Sequence, residues 1–377
     1  MALQEVKLGF KSKRAVLALG TQNKNRLCFL KGNIAFLSAM RADLSDPKDY
    51  AGFEKSARYF LRQRPKIIAY DLHPGYMSTK FALDPRHKTH DTRPIQHHHS
   101  HIASCMAENG LKNQKVIGVA FDGTGLGIDN TLWGAEFLVA DYKNFRRRAH
   151  LKEIPLLGGE RAIIEPWRVA AAWLDAAFKG RFLRLRVDLV KKIKAADWQA
   201  LKKISRFGFN SPLASSMGRL FDAVASLITG RLKVDSEAVL ARELEKLASG
   251  YAPSFLRPPL YSFKLTETAG GYILDPSPLF RKIIVDLQGK ESLALIAYKF
   301  HLAVAKMIKD TCLLLRKKDK INQVVLSGGV FQNKLLLKLT LDLLRKEKFR
   351  VFRHEKLSCG DSSLALGQAV IAGFTKG

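Results

Sequence analysis

The residues best suited to chemistry in this chain lie in one short run, QHHHSH at positions 96–101. Four of the ten histidines of the 377-residue chain fall within these six positions. A helical pattern opens at this run and continues to about Leu111, so His97 and His101, four positions apart, project from the same face. A metal site built on a helix needs two imidazoles arranged in this way. The spacing therefore predicts a metal site, and the alternative is a histidine cluster satisfied by solvent or within the core.

The two remaining histidines of the run are not expected to join this site. On the same helix, His98 and His99 are turned away from His97 by roughly 100° and 200°. Two imidazoles with one or two carboxylates suit Zn²⁺, Fe²⁺ or Mn²⁺ and leave coordination positions for substrate oxygens.

A second candidate feature begins fifteen residues after His101. The apolar run at 116–121 is typical of a buried strand and is followed by the sequence DGTGLG at 122–127. The Asp122 carboxylate and a glycine-rich turn are thereby placed at the carboxyl end of a strand, where α/β proteins bind ligands. Glycines alternating with threonine let backbone N–H groups approach phosphate oxygens. The predicted phosphate-binding residues are Gly123, Thr124 and Gly125 here, and Gly328 and Gly329 in a similar turn after a later strand.

The elements that must position these residues form two successive units. Strands are predicted at 15–20, 26–30, 34–37 and 67–70, with a helix at 49–63, and then again at 116–121, 133–140 and 147–154. A late strand at 323–326, a helix at 333–346, a strand at 349–353 and a helix at 362–374 complete the second unit. The region at 249–278, rich in proline and glycine, is predicted to be an irregular surface excursion.

This repetition predicts an α/β fold made of two duplicated ribonuclease-H-like lobes, as in actin, the seventy-kilodalton chaperones and sugar kinases. We expect a first lobe at 14–113 and a second lobe at 114–377, with a helical insertion at about 160–290. Proteins of this layout hold a nucleotide in the cleft between the lobes.

Composition and charge indicate the cellular compartment of the protein and its possible partners. The four cysteines are scattered without a CxxC motif, which favours a reducing cytoplasm over a disulfide framework. No apolar run approaches a membrane span, so we expect a cytoplasmic protein without a membrane partner. The formal net charge of +29 either reflects a surface rich in lysine and arginine or indicates a nucleic-acid partner. We favour the first interpretation and keep RNA binding as the alternative.

The motifs taken together resemble the C-terminal carbamoyltransferase domain of the HypF family of hydrogenase-maturation factors. The matching blocks follow the family order from residue 14 to residue 375: LG at 19–20, DLHPGYMST at 71–79, QHHHSH at 96–101, FDGTGLG at 121–127, LWGAEF at 132–137, EPWR at 165–168, GRLFDA at 218–223, LSGGVFQN at 326–333, and GD at 360–361. A more distant resemblance is to the tRNA threonylcarbamoyladenosine synthase TsaD.

The HypF resemblance implies roles for particular residues. It makes His97, His101 and Asp361 metal ligands, with Asp122 as a second carboxylate. It also implies that Asp222 and Asn333 contact a nucleoside, with Gly329 beside it. The residues alone leave two of these roles open, because Asp361 could equally cap the last helix and Asn333 could cap the helix that follows it.

The resemblance also implies an activity. The carbamoyl group would pass from carbamoyl-adenylate to the C-terminal cysteine thiol of a HypE-like acceptor protein, with ATP or AMP as further nucleotide ligands. HypF proteins usually carry upstream domains that make carbamoyl-adenylate, so a separate enzyme or domain is expected to supply it here. No catalytic nucleophile is identified, and the chain's own cysteines are expected to be small buried residues.

One departure from the family pattern favours an alternative function. Where the family usually has Glu-Gly-Gln-Ala, this chain has EAVL at 237–240, which alters the adenosine side of the site. A glycine pair after Asp361 is replaced by serines in a milder change. This departure motivates one alternative, a catalytically weakened scaffold subunit, and the net charge of +29 motivates another, a tRNA threonylcarbamoyl-type transferase.

Overall fold

Two mixed β-sheets form the framework of the chain. The structure, a computed structural model, describes residues 3–87, 90–251 and 260–375. The strands of the first half are β1 (Gln4–Lys7), β2 (Val16–Ala18), β3 (Asn23–Asn25), β4 (Cys28–Lys31), β5 (Ile34–Leu37), β6 (Arg41–Asp43), β7 (Ile67–Asp71) and β8 (Asp91–Ile95). Those of the second half are β9 (Val116–Leu126), β10 (Leu132–Ala140), β11 (Phe145–Leu151), β12 (Ile154–Pro155), β13 (Leu213–Ser216), β14 (Lys264–Thr268), β15 (Gly271–Asp275), β16 (Gln323–Ser327) and β17 (Arg350–Arg353).

Helices cover both sheets and fill the long connection within the second one. They are α1 (Pro47–Leu61), α2 (Met77–Ala82), α3 (His97–Glu108), α4 (Arg161–Ile164), α5 (Trp167–Ala177), α6 (Asp188–Lys192), α7 (Ala195–Arg206), α8 (Met217–Thr229), α9 (Val239–Ser249), α10 (Ser277–Gln288), α11 (Leu293–Asp319), α12 (Lys334–Lys346) and α13 (Leu364–Phe374).

The two sheets share one topology. The first runs β1-β5-β4-β2-β7-β8, and the second runs β14-β15-β11-β10-β9-β16-β17 with β12 and β13 attached at β10. In each, an antiparallel meander of three strands is followed by two strands parallel to its first member. The order third, second, first, fourth, fifth is thus repeated, and the predicted fold of two duplicated ribonuclease-H-like lobes is confirmed.

Burial explains why the central strands are continuous apolar runs. Val16, Leu17 and Ala18 are fully buried, because both faces of the first sheet are covered by helices. The last helix, α13, packs against this first sheet and against α3, whereas α3 also packs against β9 and β16 of the second sheet. The two halves of the chain therefore meet at α3, the helix that begins with the histidine run. The division of the sequence at residue 113 stays a prediction.

The predicted irregular excursion at 249–278 is wrong for the part that can be compared. Residues 252–259 lie outside the described residues. Beyond them, β14 and β15 form a hairpin that extends the second sheet, and α10 begins at Ser277. The turn of this hairpin lies at residues 269 and 270, Gly271 begins β15, and Leu274 is buried against the core. Glycine thus marked a tight connection between strands, not the absence of structure.

Candidate metal and nucleotide site

Four side chains from separate parts of the chain converge where the two lobes meet. His97 and His101 on α3, Asp122 in β9 and Asp361 before α13 place their ligand atoms within 4.8 Å of one another. The His97 Nε2 lies 3.5 Å from Asp122 Oδ2 and 3.7 Å from Asp361 Oδ1, and the His101 Nε2 lies 2.7 Å and 3.5 Å from the same two oxygens. Ligands placed about 2.0–2.2 Å from a zinc-like ion are separated by comparable distances.

The chemistry of the donor set fits a divalent transition metal. His97 is buried, and its Nδ1 donates to Asp71 Oδ2 at 2.9 Å, so the proton is held on the far side of the ring. The Nε2 that faces the carboxylates is buried without a hydrogen-bond partner among the described residues. A buried polar atom normally has a partner, and a metal ion would supply one here.

Opposite charges stabilise one another within this cluster. Burial alone would lower the pKa of His97, but the carboxylates of Asp71 and Asp122 outweigh it and hold that pKa well above its usual value. Burial alone would raise the pKa of Asp122, but His101 and His97 hold it well below its usual range. A bound dication would take the place of the protons on Nε2 of the charged imidazoles, so metal binding should release protons.

The position of Asp361 bears on the two roles that the sequence left open. Asp361 lies in a short 3₁₀ turn, and the residue that precedes α13 as its N-cap is Ser363, not Asp361. The Asp361 carboxylate instead faces the two histidines, with its side chain about one quarter exposed. The geometry therefore favours a ligand role over a capping role.

The predicted glycine turn after Asp122 is part of a strand. β9 continues to Leu126, and the hairpin turn comes at 127–131 instead. The glycine at 125 allows the histidine helix to approach the strand, because a Cβ on Gly125 would lie 2.7 Å from Cδ2 of His97. The alternating glycines were predicted to form a phosphate-binding turn, whereas here Gly125 makes room for an aromatic ring within a strand.

The second glycine pair serves to orient Asp122. Gly328 has a φ of +102°, and a Cβ there would lie 2.2 Å from the Phe121 carbonyl oxygen, so only glycine fits. The N–H groups of Gly329 and Gly123 donate to Asp122 Oδ1 at 3.2 Å and 2.8 Å. These two amides leave Oδ2 of Asp122 directed at His101.

The two residues expected to contact a nucleoside already have protein partners. Asp222 Oδ2 accepts from Nε of Arg219 at 2.9 Å and forms an ion pair with Nη2 of the same guanidinium at 2.8 Å. Asn333 caps α12, since its Oδ1 accepts from the Leu336 N–H at 2.8 Å, and its Nδ2 lies 2.9 Å from His301 Nε2. The capping alternative for Asn333 is thus what the structure shows, and its contact with a nucleoside stays a prediction, as does that of Asp222.

The roles of three residues near the site, Asp71, Arg219 and Glu237, were not predicted. Asp71, which orients His97, could have been recognised because it ends a buried strand in the motif DLHP. Arg219 and Glu237 form an ion pair at 3.0 Å beside Asp222. Neither could have been found by spacing, because 18 residues separate them.

The cysteines are placed as expected. Cys28, Cys105 and Cys312 are buried and Cys359 is partly buried, all with free thiols. Burial raises the pKa of the Cys28 thiol to about 12 and that of Cys105 well above its usual value. None of these thiols is suited to act as a thiolate nucleophile near neutral pH.

The departure at 237–240 includes a residue in the left-handed backbone region. Ala238, at the position where the resemblance implies a glycine, has a φ of +62°, which glycine adopts without strain. The chain therefore follows a glycine-like path into α9 and tolerates the alanine side chain.

Two family models together match most of the chain. Residues 11–108 match the family described as "HypF Kae1-like domain", and residues 118–368 match "Carbamoyltransferase, Kae1-like Domain, second subdomain". The fold and these two matches place the chain among Kae1-like domains.

Individual relatives narrow this class to one family. The chain is 34% identical to "Carbamoyltransferase HypF" of Rhodobacter capsulatus over 97% of its own length and 47% of that protein. It is also 34% identical to "Carbamoyltransferase HypF homolog" of Cupriavidus necator, over 95% of this chain and 91% of that one. A crystal structure of full-length HypF in a phosphate- and nucleotide-bound form is 38% identical with a TM-score of 0.89, covering 98% of this chain and 57% of that one.

The chain belongs to the carbamoyltransferase HypF family. It spans about half the length of most of the curated relatives that it matches. Within the described residues, the helices are all too short or too polar to cross a membrane.

Proposed function

We propose that this chain is a metal- and nucleotide-dependent carbamoyltransferase. It would move the carbamoyl group of carbamoyl-adenylate to the C-terminal cysteine thiol of a HypE-like acceptor, in the cytoplasm, during NiFe-hydrogenase maturation. The observation that carries the proposal is the convergence of His97, His101, Asp122 and Asp361 around a buried, unpartnered imidazole nitrogen in a chain of this family. Carbamoyl-adenylate would come from a separate enzyme or domain.

The transfer itself needs orientation more than a protein nucleophile. The acceptor sulfur would form a bond to the carbamoyl carbon, the bond from that carbon to the phosphate oxygen would break, and AMP would leave with the bonding electrons. The thiol proton would be released to solvent or to AMP. A divalent metal would supply Lewis-acid polarisation of carbamoyl or phosphate oxygens.

This chain's own residues would hold that metal and set its geometry. His97 and His101 would bind through Nε2, and Asp122 through Oδ2, the oxygen that the amides of Gly123 and Gly329 leave free. Asp361 would close the site from the other side.

The acceptor is tested with a HypE-like tail that ends in cysteine and with the same tail ending in serine. Each is incubated with the protein and separately made carbamoyl-adenylate, and mass spectrometry detects the adduct. An adduct on the cysteine tail alone supports the proposal. Cysteine and serine tails that both stay unmodified, with metal present, would contradict it.

The net charge of +29 favours one alternative, a transferase that acts on tRNA. Binding that depends only on phosphate neutralisation is non-specific and falls steeply with salt. We expect this behaviour for tRNA, whereas transfer to the cysteine tail should survive moderate salt. Salt-tolerant, tRNA-selective binding together with an unmodified tail would replace the proposal with the tRNA alternative.

A further inference from the structure

A buried guanidinium close to the proposed nucleotide site has an unused donor. Arg219 on α8 is only 3% exposed. Its Nε donates to Asp222 Oδ2, and its Nη2 donates to Glu237 Oε1 at 3.0 Å and forms an ion pair with Asp222 Oδ2. The third nitrogen, Nη1, is buried without a hydrogen-bond partner in the part of the chain that the structure describes. Buried donors of this kind are rare in native proteins, so the atom indicates a missing acceptor.

The guanidinium lies where a helix terminus and a glycine-bearing strand meet. α8 has 13 residues, and Ser216 caps it by accepting from the Arg219 N–H at 3.1 Å. The Ser216 hydroxyl also donates to the carbonyl oxygen of Gly123. A Cβ built on Gly123 would lie 2.9 Å from Glu237 Oε1, which places the Arg219–Glu237 pair against this strand. The positive end of α8 and the Arg219 charge thus act on the same small volume.

Glu237 occupies this volume with a carboxylate. Its side chain is about half exposed, whereas that of Arg219 is 4% exposed, so Glu237 can leave towards solvent while Arg219 stays in place. With Glu237 present, the three side chains of Arg219, Asp222 and Glu237 carry a net charge of about −1 at neutral pH. If Glu237 moved away, the remaining pair of Arg219 and Asp222 would be neutral and would lie next to a helix N-terminus. Two donor nitrogens of the Arg219 guanidinium, Nη1 and Nη2, would then be available to a ligand.

We propose that Arg219, the N-terminus of α8 and the Gly123 strand form a subsite for a phosphoryl anion, which Glu237 occupies until the anion displaces it. The planar guanidinium presents Nη1 and Nη2 as a pair, which suits the bidentate geometry of phosphate. The identification of this anion with the phosphate of a bound adenylate rests on the proposed function. The anion subsite itself does not, because free phosphate has the same chemistry.

The test compares AMP, adenosine and inorganic phosphate by calorimetry with wild type, Glu237→Gln and Glu243→Gln. Glu243 lies on α9, pairs with Arg231 and provides a matched loss of one charge. Glu237→Gln should tighten AMP and phosphate on the order of 3- to 10-fold, because the competing carboxylate is removed, and should leave adenosine unchanged. Glu243→Gln should change none of the three affinities.

Arg219→Lys provides the opposite change. It should weaken AMP by about 10-fold or more relative to adenosine, since the lysine cannot replace a bidentate fork. If this variant fails to fold, the affinities of Glu237→Gln alone test the anion subsite. Tightening of phosphate without AMP would support the subsite and assign it to free phosphate.

Equal affinities of wild type and Glu237→Gln for both AMP and phosphate would overturn the inference. So would an equal change for adenosine, because that would locate the effect away from the phosphoryl group. These binding measurements involve no transfer step. A failure of carbamoyl transfer would therefore not affect the binding results. The anion subsite and the proposed transferase function can be refuted independently.

Discussion

Asp71 accepts a hydrogen bond from Nδ1 of His97 at 2.9 Å, and both side chains are buried. This contact joins the carboxyl end of β7 in the first lobe to the helix that carries the histidines. It fixes the ring so that Nε2 faces Asp122 and Asp361. A carboxylate behind a ligating histidine orients the ring and raises its basicity.

We expect Asp71→Asn to weaken metal binding by about 10- to 100-fold, because the amide keeps the shape but loses the charge. The dissociation constant is measured by competition with a chelator of known affinity. Asp91→Asn, which removes a partly exposed carboxylate that pairs with Arg93, is the control and should bind metal as wild type does. Equal affinity of Asp71→Asn and wild type would show that Asp71 is not a positioning residue.

Nucleotides should raise the melting temperature of the protein, because a ligand that binds only the folded state stabilises it. Asp122→Ala and Asn333→Ala should each reduce the rise produced by ATP or AMP. Asn333→Ala should also lower the melting temperature without ligand, since the cap of α12 contributes about 1 kcal/mol. Each shift is therefore measured from the variant's own baseline. A wild type that shows no shift with metal present would favour the scaffold alternative.

Ala238→Gly should stabilise the folded protein by roughly 0.5–1 kcal/mol. The left-handed φ of +62° strains alanine and not glycine, and this gain exceeds the extra entropy of glycine in the unfolded chain. The free energy of unfolding is measured by urea denaturation. Ala241→Gly, within α9, is the control and should destabilise the helix by a similar amount. Destabilisation by Ala238→Gly would contradict a strained left-handed conformation at residue 238.

The buried His301 should make stability depend on pH. Burial lowers the pKa of His301 to about 4, against about 6.5 in an unfolded chain. Between these values the unfolded chain binds a proton that the folded protein does not, so stability falls as the pH falls. Relative to His301→Gln, wild type should lose roughly 1.4 kcal/mol per pH unit between about pH 6 and pH 4.5. Urea denaturation across this range checks the difference, and parallel curves for the two proteins would contradict it.

The sequence predicted the fold well because its signals were local. The buried run at 116–121 and the repeated order of strands specify the two sheets without knowledge of distant contacts. The spacing of His97 and His101 likewise predicts a shared helix face, and the structure places both in the cluster.

What could not be predicted depends on contacts between distant residues. Gly125 was expected in a turn, but the ring of His97 packs against it within a strand. Arg219 and Glu237 are paired only because α8 packs beside the segment that leads into α9. Pattern analysis gives the period of an element, whereas these roles follow from which elements pack together.

The dependence of carbamoyl transfer on the metal tests the central claim most directly. Wild type, the double variant His97→Ala with His101→Ala, and the control His99→Ala are compared for metal content by elemental analysis and for adduct formation on the cysteine tail. We predict about one divalent ion per chain and a carbamoyl adduct for wild type and His99→Ala, and loss of both in the double variant. In wild type, the adduct should disappear with chelation and return when the metal is restored. An adduct that forms at the same rate without metal, or a double variant that retains its metal, would contradict the account.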